Sequence, residues 1–159
     1  MDLSQEVDTG SQVESKDDVW ISDLADPECR TDLANARRFV ARYGKQARYC
    51  FAWKKWLGWD GVRWQVDGIG AVRRMAQDIV DDVWTQCRLA GRGADSQRWA
   101  SYTASERGMR RMLAGAEVRL AVTPEELDDY PWLLNCQNGV LDLRTGELLA
   151  HDPTWMLTK

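Results

Sequence analysis

Residues 53–67 read WKKWLGWDGVRWQVD, with four tryptophans among Lys54, Lys55 and Arg63. Aromatic and basic residues mixed in this way occur in nucleic-acid surfaces and in packed hairpins. Asp60-Gly61 decides for a hairpin, because a type I′ turn needs positive φ at both central positions. With the turn there, Trp59 faces Val62, Leu57 faces Trp64 and Lys55 faces Val66. Positions 57, 59, 62, 64 and 66 then share one face, and all are apolar. Gly58, Arg63 and Gln65 share the other face with Trp56. A half-buried hairpin requires this period of two, so most of the tryptophans are expected in the core. Trp56 is the exception, on the polar face beside Lys54 and Arg63. Packing under another element and stacking on a base compete there, and packing is favoured.

Outward from the hairpin, residues 48–53 suit a preceding strand. Upstream, TDLANARRFVARYG predicts a helix with Thr31 as N-cap, Asp32 in the first turn and Gly44 as its C-terminal stop. Leu33, Ala36, Val40 and Tyr43 would form its buried face, leaving Arg37, Arg38 and Arg42 on others. Downstream of Asp67-Gly68, an apolar stripe from Ile69 through Val72, Ala76, Ile79, Val83 and Cys87 to Ala90 predicts a long helix. GRGAD at 91–95 breaks it. A further helical stretch over 96–116, continuous or interrupted, would bury Trp99, Tyr102, Met109, Leu113 and Ala116 and expose Arg98, Arg107, Arg110 and Arg111. Thr123-Pro124 opens a short capped turn. In the last stretch, Asn138-Gly139 and Thr145-Gly146 separate short apolar strands. The expected fold is α+β: a small antiparallel hairpin sheet packed against about three helices, with a second C-terminal hairpin region.

The 159-residue chain is 44% hydrophobic, enough for a real core. It has no run of eighteen apolar residues and no basic region followed by an apolar leader, so a cytoplasmic setting is expected. Cys29, Cys50, Cys87 and Cys136 are widely spaced, and His151 is the only histidine. Free thiols fit better than a zinc site or disulfides.

The net charge of −4 is unevenly distributed. Residues 1–28 carry nine acids and one base, whereas the rest carries 20 bases and 16 acids. Residues 1–28 read as an acidic flexible tail or linker and 29–159 as the folded domain. A basic body suits a polyanion partner, and the tail would compete with that partner. Deleting the tail without gaining DNA affinity would refute such competition.

No catalytic or metal-binding constellation emerges. The only Gly-Lys pair, Gly44-Lys45, precedes Gln46, so GxxxxGK[ST] is missing. The acids at 125–129 read as a helix start, and the neighbouring Asp81 and Asp82 diverge on a helix.

Three stretches in order carry a family resemblance: TDLANARRFVARYG, WLGWDGVRWQVD and TPEELDDYPWLLNCQNGVLDLRTGELLAHDP. Over roughly residues 30–159 the chain resembles the domain that precedes the superfamily III helicase core in phage and plasmid primases. This domain is also called the poxvirus primase-helicase N-terminal-like domain. The final stretch is the most specific, with Asn138-Gly139, Leu141-Asp142-Leu143 and Thr145-Gly146-Glu147 at matching spacing. The resemblance implies a non-catalytic accessory domain in DNA replication, a collar or linker that organises a helicase ring or contacts DNA. ATP, Mg and the Walker residues would belong to a helicase ATPase module downstream of Lys159. Implied partners are single-stranded or forked DNA, that module, and copies of itself in the full-length protein.

Candidate nucleic-acid contacts are Arg37, Arg38, Arg42, Lys54, Lys55, Arg63, Arg107, Arg110 and Arg111, with Trp56 as a stacker. In the alternative, the domain faces only protein, and the same arginines pair with acids of a neighbouring subunit.

Overall fold

The computed structural model describes residues 27–91 and 93–159. The acidic tail over 1–26 lies outside the described residues, and Pro27–Cys29 forms a 3-10 turn. The fold is α+β, with four helices and two sheets among the described residues. Helix α1 (Asp32–Tyr43) leads into strands β1 (Ala47–Cys50), β2 (Lys55–Trp59) and β3 (Trp64–Val66). Helices α2 (Ala71–Leu89), α3 (Ala94–Thr103) and α4 (Glu106–Arg119) follow, then β4 (Ala121–Val122). Strands β5 (Leu133–Cys136), β6 (Gly139–Asp142) and β7 (Glu147–Leu149) make the second sheet.

The first sheet has the order β3-β2-β1-β4, with β4 parallel to β1 and the other pairs antiparallel. Its hairpin register differs from the two-residue-turn expectation. Trp59 pairs with Trp64 and Leu57 with Val66, which leaves residues 60–63 as a four-residue turn. The cause lies in Asp60, whose Oδ1 accepts from both Val62 N and Arg63 N at 2.8 Å. This side-chain-closed turn competes with the type I′ geometry. The slip is by two residues, so the faces survive and only Val62 leaves the strand.

Both faces of this sheet are covered. Leu57, Cys50 and Trp64 pack with Val122 and Leu127 on one side. Trp64 is fully buried; its indole N–H donates to Pro153 O at 2.8 Å and its backbone N to Leu157 O at 2.8 Å. Burying such a ring contributes roughly 2–3 kcal/mol. On the other side, Ala47 and Trp56 meet the helical core of Phe39, Ile79, Met112 and Leu120. Trp56 stands edge-on to Phe39 and Tyr49, with ring centroids at 6.0 Å and 5.1 Å. The favoured packing reading of Trp56 therefore describes its position.

Thr31 caps α1, accepting from Ala34 N at 3.0 Å. Leu33, expected inside, is exposed, while Asn35 and Arg38 are buried. Gly44 is right-handed (φ −61°) rather than left-handed, and a Cβ there would lie 2.5 Å from Val40 O. Helix α2 begins later than its stripe suggested. Asp67 accepts from Ala71 N at 2.8 Å and Val72 N at 2.9 Å, leaving Ile69 outside and exposed. The stretch at 96–116 is two helices. Ser105 caps the second, accepting from Gly108 N at 3.1 Å.

The second sheet is a meander, β5-β6-β7. Asn135 Nδ2 donates to Val62 O at 3.1 Å, joining it to the β2–β3 turn. All four cysteines are free thiols, with Cys136 half-buried and the others buried.

Candidate nucleic-acid interface

Helix α4 carries the densest group of exposed cations among the predicted contacts. Its inner side is made of small or flexible residues. Gly108 lies so close to α3 that a Cβ would come within 2.3 Å of Tyr102 O, and a Cβ on Gly115 would lie 2.8 Å from Ala36. Met112 and Ala116 are fully buried between them. With that side pressed onto α1, Arg107, Arg110 and Arg111 at spacing i, i+3 and i+4 share the opposite, exposed side. Arg107 and Arg110 make no ion pair among the described residues. Arg111 lies 3.4 Å from Asp32, which also accepts the Tyr102 hydroxyl at 3.0 Å.

Beside that contact, Arg30, Asp95, Arg98, Trp99 and Tyr102 line an open groove of about 590 Å³. The rings of Trp99 and Tyr102 lie 5.2 Å apart, tilted by 32°. Both were expected on a buried face, and both are half-buried with a side open to the groove. An aromatic pair at i and i+3 between Arg98 and Arg107 was the available signal for such a platform.

The predicted cations on α1 have different surroundings. Arg37 is half-buried. Arg38 is 4% exposed; it donates to Cys29 O at 3.0 Å and Asn35 Oδ1 at 2.8 Å. Asn35 donates in turn to Thr103 Oγ1 at 3.1 Å, so the network ties α1 to α3. Burial pulls the Arg38 pKa below its ordinary value. Arg38 thus offers no surface to a phosphate, contrary to its expected role. Helical periodicity missed this because a buried arginine is tolerated only where acceptors converge on it, and here Asn35 one turn back is joined by Cys29 O from outside the helix. Arg42 pairs with Asp82 of α2 and lies over the Tyr43 ring at 5.4 Å. The Tyr43 hydroxyl donates to Asp78 at 2.7 Å, and burial together with this bond pushes its pKa up to about 12.

The hairpin residues are not brought to the α4 group as one cluster. Lys54 and Lys55 are exposed where β1 turns into β2. Arg63 is exposed at the far end of β2, about 13 Å along the strand, and 3.9 Å from Asp60. Trp56 lies in the aromatic packing against Phe39, so as a base stacker it is misplaced. Within the hairpin segment the most open tryptophan is Trp53, 43% exposed, beside Phe51 at 50%. Alternation within the strands could not identify it, because residues 51–54 form the turn itself.

Among the described residues no group of three or more His, Cys, Asp or Glu side chains is placed to hold a metal ion. No helix among them is long and apolar enough to cross a membrane.

A family model described as D5 N terminal like matches residues 36–159. No curated protein matches the chain.

Proposed function

This chain belongs to the D5 N-terminal-like family, the N-terminal domain of phage and plasmid primase-helicases, and from that premise we propose that it is a non-catalytic accessory domain that contacts single-stranded or forked DNA through α4. The observation that supports this reading is the exposed side of α4, where Arg107 and Arg110 make no close ion pair among the described residues, Arg110 only sensing the Glu106 charge at longer range. Unpaired arginines lose little on meeting a phosphate, since no internal ion pair has to be broken first. Arg98, paired with Asp95 at 3.2 Å, lines the Trp99–Tyr102 groove, and Arg111 adjoins it through Asp32, which it shares with Tyr102.

The test is an anisotropy titration of the 159-residue chain against labelled single-stranded and forked DNA at several salt concentrations. Binding should weaken steeply with salt. Reversing Arg107, Arg110 and Arg111 to glutamate should reduce the salt slope by about 2, at roughly 0.7 per phosphate contact on a single strand. No binding by the unaltered chain at low salt would refute the reading.

A specific feature favours a second reading, in which the domain organises the helicase ring without touching DNA. Leu134, Leu141 and Leu148 stand in register across the three strands of the second sheet. Leu134 and Leu148 are half-exposed, as are Trp132 and Leu143 beside them. Contiguous apolar surface of this kind marks a protein contact. Under this reading the arginine reversals impair assembly and leave DNA binding unchanged.

A further inference from the structure

We propose that the β1–β2 turn is a base-stacking element for single-stranded nucleic acid, with Phe51 and Trp53 as the stacking rings and Lys54 and Lys55 as the phosphate contacts. The inference rests on the reading that this domain meets DNA, and it adds a second contact site away from α4.

Four observations combine in it. Phe51 and Trp53 are 50% and 43% exposed, whereas Trp56 and Trp59 nearby are more covered and Trp64 is fully buried. Leaving two large rings half in water three positions or fewer apart is unfavourable unless something covers them. The cations beside them are uncommitted: Lys54 and Lys55 are exposed and make no ion pair among the described residues.

The turn is also held in shape. Lys54 N donates to Phe51 O at 3.2 Å, and Lys54 has a left-handed backbone with φ of 52°. Behind it, aromatic rings run back into the core. Phe51 stands edge-on to Tyr49 at 4.8 Å, Tyr49 to Trp56 at 5.1 Å, and Trp56 to Phe39 at 6.0 Å. Each contact is an edge-to-face arrangement of the kind aromatic pairs prefer. Phe51 is thereby presented to solvent on a stiff prop, so little freedom is lost when a base stacks on it.

A π-face next to an unpaired lysine is what a nucleotide needs: a surface for the base and a positive charge for its phosphate. Every base has a π-face, so the element would accept any sequence, and duplex DNA, with its bases already stacked, would gain little from it.

The experiment compares the full chain binding to a twelve-nucleotide thymidine oligomer and to an abasic oligomer of the same length and charge. The expected result is a preference for the thymidine oligomer of about tenfold or more, the size of one lost base–aromatic stack. Phe51→Ala with Trp53→Ala should remove the preference while leaving abasic binding and its salt slope unchanged. Lys54→Gln with Lys55→Gln should weaken both oligomers alike.

If the unaltered chain binds neither oligomer, the DNA reading and the stacking site fall together. If it binds both equally, or the double alanine variant keeps the preference, the stacking site alone is overturned and α4 contact stands. Loss of self-association in the alanine variant with the base preference intact likewise overturns stacking, in favour of a protein-facing turn.

Discussion

Replacing Arg38 with methionine separates a structural arginine from a DNA-contacting one. Methionine keeps the apolar stem, ending about where the guanidinium begins, and removes the donors that reach Cys29 O and Asn35 Oδ1. Hydrogen bonds from a charged donor contribute about 1.5–3 kcal/mol each. The two bonds share one side chain and are coupled, so their losses do not simply add. The thioether recovers part of the loss by burying apolar surface. The net expectation is about 3 kcal/mol of lost stability. For a chain of this size that corresponds to a fall in Tm of about 10 °C. Urea denaturation followed by tryptophan fluorescence gives the first quantity and a thermal melt the second. The salt dependence of DNA binding, measured at a temperature where the variant is folded, should match the unaltered chain. A variant with unchanged stability and a shallower salt slope would refute the placement of Arg38 in the core.

Asp67→Ala should destabilise the chain by about 1–2 kcal/mol, as loss of a helix cap does, because Ala71 N and Val72 N lose their acceptor; an unchanged urea midpoint would contradict that capping role. Asp142 ties the β6–β7 turn by accepting from the Arg144 side chain and backbone N, both at 2.9 Å. These bonds, the side-chain one foremost, hold its carboxyl down to about 2. A depressed carboxylate stabilises the fold above its unfolded pKa, near 4, and loses that contribution as pH falls through about 2. Asp142→Asn should therefore lower the urea midpoint at pH 7, with the difference from the unaltered chain shrinking below pH 4; a difference independent of pH would remove the ion pair from the account.

Much of the fold is local chemistry, and local chemistry is legible in a sequence. Thr31 caps its helix because a hydroxyl three residues before an orphan N–H is enough. The alternation around Trp56, Leu57 and Trp64 specifies two faces that survive the observed turn, since a slip of two residues preserves them whereas a slip of one would not. The strands on either side of Asn138-Gly139 and Thr145-Gly146 followed from turn residues between apolar runs. The order of stretches was enough to point to the family that residues 36–159 match.

The candidate interface was legible only in part. That Arg107, Arg110 and Arg111 are exposed together was legible because their spacing on one helix fixes a shared side. Arg38 and Arg42 are on a helix too, yet what they meet comes in part or wholly from outside it: Cys29 O beside Asn35 for the first, Asp82 for the second. Trp56 is covered and Trp53 left open for the same reason. Whether a ring is covered depends on what packs over its strand, and Phe39 arrives from α1 to cover Trp56 while nothing among the described residues fully covers Trp53. The sequence by itself determined most of the elements, the Thr31 cap and the two faces of the hairpin, because those depend on neighbours a few residues away. The tertiary structure alone decided which charges stay unpaired and which aromatics stay open, because pairing and burial are set by residues that folding brings together from distant positions.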